Sequence, residues 1–358
     1  FTVTEDVAGN LVWPAESLPF TEPDSASLKV TLAVAGGTIT ALPAPGITVG
    51  GTPTARTLSG SPAVLNAYLK TAGAVTYLPA ANSTVARVLT VTASDGEFSR
   101  SATSTIGIIP VNDAPTAFAP ASFTVTEDVR GNLVWPAASK PVADVDTAVL
   151  QVTLSVPDGT ITAAAAPGIT VGGTPTARTV SGTAAALSGY FKTLGRIGYT
   201  TAPNNTVART LTFSVSDGLL ATSVQSTIAI KPVNDAPVIA AAAQLAGTAG
   251  GAREITYAEL ATAAGVADVD TAQPALRVVS IQSGRLERWN GQRWVAVSTT
   301  PSSPVAQRTL AAGQRLRWTP ATGAKGVQAA FRVAAFDGVV QSAGSCQVSV
   351  NLTASPAV

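Results

Sequence analysis

Apolar and polar residues alternate in short runs along most of this chain. In Leu150-Gln151-Val152-Thr153-Leu154-Ser155-Val156 every second side chain is apolar, the period of a strand with one buried face and one wet face. Asp158-Gly159 follows as a turn, and Thr160-Ile161-Thr162 reads as the returning strand. Residues 208–215 alternate again, Asp217-Gly218 turns, and 226–231 closes the sheet. Two stretches, 63–71 and 185–193, break this period. In the second, Leu187, Tyr190 and Phe191 recur at helical spacing, which predicts a turn or two of helix with Tyr190 in the core. Many short strands punctuated by Gly and Pro predict an all-β chain built of sandwiches.

The pattern itself repeats. Phe-Thr-Val-Thr-Glu-Asp-Val occurs at 1–7 and again at 123–129, and residues 1–115 align without a gap on 123–237 with nearly two thirds of positions identical. The twelve residues 45–56 return unchanged at 167–178, and Val-Asn-Asp-Ala-Pro at 111–115 returns at 233–237. From about residue 238 a diverged third unit keeps Ala267-Asp268-Val269-Asp270, matching Ala143-Asp144-Val145-Asp146, and Phe336-Asp337-Gly338, matching Ser216-Asp217-Gly218. Trp289, Trp294 and Trp318 replace the Trp13 and Trp135 position, and the unit has no closing Asn-Asp-Ala-Pro. A period this long exceeds that of a solenoid, roughly 20–50 residues, and suits one sandwich of roughly 100 residues. The expected domains are therefore 1–115, 116–237 and 238–358, each folding alone.

Composition narrows the function. Charged residues are 12% of the 358, about half the usual share, and Thr, Ser, Ala and Gly fill the gap. The net charge is +1 with dispersed Lys and Arg, so no nucleic-acid footprint is expected. Arg285, Arg288 and Arg293 interleave with Trp289 and Trp294; stacking on a base or sugar is one reading, and a solvated hairpin around Asn290-Gly291 is the simpler one. The chain has no His, which removes Ser-His-Asp and Cys-His nucleophile systems and argues against a zinc enzyme site. A carboxylate pair could hydrolyse a glycoside, but acids that recur in register in every unit are unlike a catalytic site, and the expected chain is no enzyme. Gly36-Gly37 and Gly50-Gly51 lack the phosphate-loop pattern. The single cysteine, Cys346, lies on the apolar face of an alternating strand, which predicts a buried, inert thiol. No Met, no signal sequence and no apolar run long enough for a membrane span are present; the expectation is an excised or processed piece with no direct span.

The acids are not spread for solubility. Fourteen of the 21 fall at equivalent places: Glu5, Asp6, Asp24, Asp95 and Asp113; Glu127, Asp128, Asp144, Asp146, Asp217 and Asp235; Asp268, Asp270 and Asp337. Asp-x-Asp places two carboxylates on one side of an extended segment, and Asn-Asp adds an amide oxygen and a carboxylate. Gathered carboxylates repel unless a cation neutralises them. Calcium takes six to eight such oxygens. The competing reading is that these acids only make turns and caps, since Asp-Gly is a turn dipeptide in its own right; for Asp337 the two readings stand level.

The opening Thr-Glu-Asp, the Ala-Asp-Val-Asp, the Ser-Asp-Gly and the closing Val-Asn-Asp-Ala-Pro resemble the bacterial cadherin-like tandem repeats, of the Asn-Asp-Ala-Pro linker type, of large secreted adhesins and biofilm matrix proteins. The resemblance covers the first two units and most of the third. It implies a tandem array of Ig/cadherin-like Greek-key β-sandwiches on the cell surface or secreted, with Ca2+ at the junctions between units. Carried over by motif, the first junction would use Glu5, Asp6, Asp95, Asn112 and Asp113 with Asp144 and Asp146. The second would use Glu127, Asp128, Asp217, Asn234 and Asp235 with Asp268 and Asp270. One of Glu5 and Asp6, and one of Glu127 and Asp128, could serve alone. The first unit departs from the pattern, with Thr21-Glu22-Pro23-Asp24 in place of Ala-Asp-Val-Asp, and the third lacks the opening Glu-Asp.

The leading expectation is a non-catalytic extracellular stalk or matrix segment, stiffened by calcium, whose first partners are its own neighbouring repeats. Two alternatives are a subunit that assembles with other copies into a filament, sheath or surface layer, and a glycan binder through Trp289 and Trp294. Core packing of those two rings against Trp318 and Phe331 is the plainer reading of that pair.

Overall fold

The structure is a computed structural model that describes residues 1–300, 302 and 304–354. The last four residues of the third repeat, 355–358, lie outside the described residues. Two compact units divide the chain: Phe1–Phe123 with Asn132–Gly198 and Arg209–Thr227, and Thr124–Gly131 with Tyr199–Ala208 and Ile228–Val358. The division falls inside the second repeat.

In the first unit, repeat one forms a six-stranded and a three-stranded sheet. Its strands are β1 (Thr2–Thr4), β2 (Gly9–Asn10), β3 (Leu28–Val34), β4 (Thr38–Ala41), β5 (Thr48–Thr52), β6 (Ala55–Gly60), β7 (Val75–Leu78), β8 (Arg87–Ser94) and β9 (Ser99–Ile109). The larger sheet runs β1-β9-β8-β3-β6-β5 and the smaller β2-β7-β4. The first strand pairs parallel with the last, Val3 against Ile108, and the other strand pairings of the repeat are antiparallel. Consecutive strands repeatedly change sheet, which makes the sandwich a Greek key. Alternation dictates which face is hidden: in β3 the residues Leu28, Val30, Leu32 and Val34 are buried while Lys29 is exposed. These meet Ile39, Val75 and Tyr77 of the smaller sheet in one core.

A short helix, α1 (Pro62–Leu69), fills the gap between the sheets. Ser61 caps it by accepting from the Val64 amide, and Pro sits in its first turn, both favoured there. It buries Leu65, Tyr68 and Leu69. The equivalent helix of the second repeat, Ala184–Lys192, buries Leu187, Tyr190 and Phe191, as the helical spacing predicts.

The second repeat builds the same pair of sheets, six strands and three. One expectation fails in both repeats. The strand Thr160–Ala163 is not the hairpin partner of Val149–Ser155; it joins the smaller sheet, while Val149–Ser155 pairs with Ala177–Thr183 and Arg209–Ser216. Ile161 is fully buried between the sheets, a burial that a flat hairpin return would not provide. Trp135 anchors this core against Phe123, Phe191 and Phe213, with ring centres 5.0, 4.9 and 5.1 Å away.

In the second unit, the third repeat has a five-stranded and a four-stranded sheet. Its core holds Trp318, Phe331 and Cys346. Burial raises the Cys346 thiol pKa despite the nearby Arg332, as expected of an inert cysteine. No described helix is long and apolar enough to cross a membrane.

Candidate metal centres at the junctions

Each junction is assembled from the closing linker of one repeat, the opening segment of that same repeat, and the Asp-x-Asp loop of the next. The first lies wholly in the first compact unit, and the second wholly in the other.

At the first junction, the Glu5 amide donates to Ile109 O at 3.0 Å. This holds the opening segment beside the end of β9, and the Glu5 side chain is 1% exposed. Asp6 follows with φ +57°, a left-handed geometry that Asp tolerates better than most residues. Its Oδ1 accepts from the Asn82 amide at 3.0 Å. The linker brings up Asp113, and carboxylate oxygens of Glu5, Asp6 and Asp113 all lie within 4.8 Å of one another. From the next repeat, Asp144 Oδ1 accepts from the amides of Asp146 and Thr147 at 2.8 and 2.6 Å. Asp146 Oδ2 in turn accepts from the Asp113 amide at 2.8 Å, which joins the loop to the linker.

Five carboxylates thus converge, and none forms an ion pair with Lys or Arg among the described residues. Burial, then the charges of Asp146, Asp6 and Asp113, raise the Glu5 pKa; the Val111 amide, near the carboxylate but outside hydrogen-bond geometry, acts against them. Burial raises Asp113 as well, helped by Asp146, Asp6 and Asp144. Both Glu5 oxygens, Asp113 Oδ2 and Asp144 Oδ2 are buried without a hydrogen-bond partner. Buried polar groups ordinarily find one.

The second junction repeats the set. Asp128 has φ +57° and accepts from the Asn204 amide at 3.0 Å. Asp268 Oδ1 accepts from Asp270 and Thr271 at 2.8 and 2.6 Å, and Asp270 Oδ2 from the Asp235 amide at 2.7 Å. Burial raises Asp235, followed by Asp128, Asp270, Glu127 and Asp268. Asp235 Oδ2 and Asp268 Oδ2 are buried and unpartnered. Glu127 differs from Glu5 in accepting from the Val233 amide at 2.5 Å.

The linker asparagines have a partner that the sequence reading assigns elsewhere. Asn112 Nδ2 donates to Asp217 Oδ2 at 2.7 Å, and Asn234 Nδ2 to Asp337 Oδ2 at 2.7 Å. Asp217 therefore stands at the first junction, not the second, and Asp337 stands at the second. Asp95 is not among the hydrogen-bonded partners of the first junction; its Oδ1 accepts from the amides of Glu97 and Phe98 in its own turn. Those amides lower its pKa, the Phe98 amide first. Each linker Asn also donates to the carbonyl of the following Asp, so its side-chain donors are engaged and its amide oxygen is the atom left for a cation. The other expected residues, Glu5, Asp6, Asp113, Asp144 and Asp146, and Glu127, Asp128, Asp235, Asp268 and Asp270, are brought together as the motifs suggest.

In the third repeat, Arg285–Trp289 and Trp294–Ala296 form a hairpin around Asn290-Gly291. Trp289 and Trp294 are not part of the core with Trp318; they lie edge to face, 5.4 Å apart. Arg315 lies over both rings at 5.1 and 5.5 Å, and Arg317 over Trp294 at 4.5 Å. The aromatic surface that a sugar would stack on is already engaged by these cations.

No family model matches the chain, and no curated protein matches it in sequence. Among solved structures it is similar to extracellular cadherin domains 1–5 of protocadherin gamma B2, at 13% identity and TM-score 0.40 over 99% of this chain and 58% of that one. It is similar to mouse protocadherin-24 EC1-3 at 12% identity and TM-score 0.35, covering 99% and 96%. Titin domains I67–I69 match at 10% identity and TM-score 0.26, covering 99% and 95%. An endo-fucoidan hydrolase of glycoside hydrolase family 107 matches at 15% identity and TM-score 0.23, and the chain spans 43% of its length. Scores below 0.5 carry no inference about what this chain does.

Proposed function

We propose that this chain is a non-catalytic, extracellular structural segment, in which calcium ions at the two junctions lock successive sandwich repeats into a stalk or matrix element for surface attachment. The observation that carries this reading is the set of buried carboxylate oxygens with no donor: Glu5 Oε1 and Oε2, Asp113 Oδ2 and Asp144 Oδ2 at one junction, and Asp235 Oδ2 and Asp268 Oδ2 at the other. Leaving such charge buried and unpaired is costly, and no basic side chain offsets it. A hard divalent cation does. The donor set is all oxygen, irregular and rich in carboxylates, which suits calcium better than magnesium with its strict octahedral demand.

Glu5, Asp6, Asp113, Asp144 and Asp146, with the amide oxygen of Asn112, would hold the ion at the first junction. Their counterparts Glu127, Asp128, Asp235, Asp268, Asp270 and Asn234 would do so at the second. Ligands drawn from both sides of a linker make binding conditional on the repeats being docked, so calcium would stabilise the docked form by mass action. Outside the cell calcium is abundant enough for weak modular sites to fill.

The test is calorimetric titration of calcium into metal-depleted protein, paired with thermal melts in calcium and in chelator. The expected result is two bound ions or more per chain and a higher melting midpoint with calcium. Equal midpoints and no binding heat would overturn the proposal.

A further inference from the structure

The second repeat fills a groove at the end of its helix with one of its own side chains. Arg196 lies over the Tyr190 ring, 5.9 Å from its centre, and its Nη1 donates to Ala165 O at 2.7 Å. A cation within about 6 Å of a tyrosine ring centre is attracted to the ring face. The Tyr190 hydroxyl donates to Ala164 O at 2.6 Å, which fixes the ring beneath the guanidinium.

The first repeat builds the same groove and leaves it open. Ala74 stands at the repeat position of Arg196. The frame around it is kept: the Tyr68 hydroxyl donates to Leu42 O at 2.6 Å and to Ala74 O at 2.8 Å. Pro43 O, the counterpart of Ala165 O, accepts no hydrogen bond from the described residues. The vacated space is a cleft of about 410 Å³ against Leu42, Pro43, Val64, Ala67 and Tyr68, and no charged side chain lines it. Leu42, Val64 and Ala67 replace the smaller Ala164, Ala186 and Gly189, so its walls offer more apolar surface than those around Arg196. The helix α1 ends at Leu69, and Thr71, Ala72 and Gly73 just beyond it border the cleft. The partial negative charge at a helix C-terminus favours a cation there.

We propose that this cleft receives the arginine side chain of a partner protein, which supplies from outside what Arg196 supplies within the second repeat. The guanidinium covers the Tyr68 ring and donates to Pro43 O, and the methylene stem packs along Leu42 and Val64. A guanidinium suits the place better than an ammonium, because its plane stacks on the ring while its edge keeps donors for the carbonyl. No residue of the junction carboxylate sets lines the cleft, so the contact is independent of calcium.

The experiment titrates the peptide acetyl-Gly-Arg-Gly-amide into the full chain and reads the methyl resonances of Val64 and Ala67. The same peptide with neutral citrulline in place of arginine runs beside it, and both are repeated on Ala74→Arg. The expected result is a saturable shift with the arginine peptide in the millimolar range. It should weaken about fivefold or more with citrulline and be lost in Ala74→Arg, whose own guanidinium occupies the cleft. No saturable shift, equal binding of the two peptides, or unchanged binding to Ala74→Arg each overturns the proposal. The two peptides are compared on the parent chain, so the charge dependence decides the matter even where Ala74→Arg fails to fold. Sedimentation of parent and variant identifies the source of the arginine. The two should sediment alike; self-association of the parent that Ala74→Arg abolishes overturns the proposal, since the occupant would then be a second copy of this chain.

Discussion

Asn112 Nδ2 donates to Asp217 Oδ2 at 2.7 Å across 105 residues of chain, and this bond ties the linker of one repeat to a turn of the next. It also orients Asn112. With its donors directed to Asp217 and to the Asp113 carbonyl, the amide cannot flip without losing both bonds. Asp217 thereby orients the proposed ligand oxygen of Asn112, as an outer partner does for a metal ligand. Asn112→Ala should weaken calcium at the first junction by about 10–100-fold and leave the second unchanged. Titration of the variant beside Asn234→Ala, which should weaken only the second, checks this. Equal loss at both junctions in either variant would refute the assignment.

Glu5 gives a prediction whose sign reverses with calcium. Its two oxygens are buried without donors, beside Asp6, Asp113 and Asp146. Glu5→Gln removes a repelling charge and keeps the shape. In chelator the variant should melt a few degrees higher than the parent, and in saturating calcium it should melt lower, having lost a carboxylate ligand. Thermal melts in both buffers decide it; a variant less stable in both would mean that Glu5 serves packing alone.

Much of this was legible in the chain. Period-two alternation marks strands such as Leu28–Val34, and the recurring acids mark the junctions. What failed was assigning Asp217 to the same junction as Asn234. The strand Ala221–Lys231 lies between them and has 11 residues, which at roughly 3.3 Å each span about 35 Å. Residues on either side of it sit at opposite ends of the sandwich. Strand length was the signal that separates them, and it applies equally to Asp95 and Asn112 across β9. The role of Thr160–Ala163 was less accessible, because alternation reports a buried face without saying which sheet supplies it.

Acid should act on metal-free protein in two opposed ways. Glu5, Asp113 and Asp235 have raised pKa values in the fold, burial being the first cause. They bind protons more tightly folded than unfolded, so their contribution favours folding at low pH and is lost as pH rises above the ordinary carboxylate range, about 4. Asp217 and Asp337 are lowered, first by Asn112 and Asn234; their contribution is present above that range and is lost as pH falls through it. In metal-depleted buffer the melting midpoint should therefore peak in mild acid and decline toward neutrality. Calcium should abolish the decline, since it neutralises the acids that cause it. A midpoint that climbs steadily to neutrality without metal would contradict this.

Trp135 and Trp13 occupy the same repeat position in different settings, and their loss should cost different amounts. Trp135 is 1% exposed, packed against three phenylalanine rings, with its Nε1 bonded to Phe118 O. Trp135→Ala removes a fully enclosed ring and leaves a cavity, at about 3–5 kcal/mol. Trp13 is half-buried, packs on the Phe1 ring at 4.9 Å, and borders a cleft. Trp13→Ala should cost about 1–2 kcal/mol, since less apolar area returns to water. Chains of several domains depart from two-state unfolding, so a single midpoint averages over the repeats. Hydrogen exchange resolved by residue reads each one: amides of Val149–Ser155 should lose protection in the first variant, and those of Leu28–Val34 should lose less in the second. Equal costs would show that the cleft beside Trp13 closes in solution.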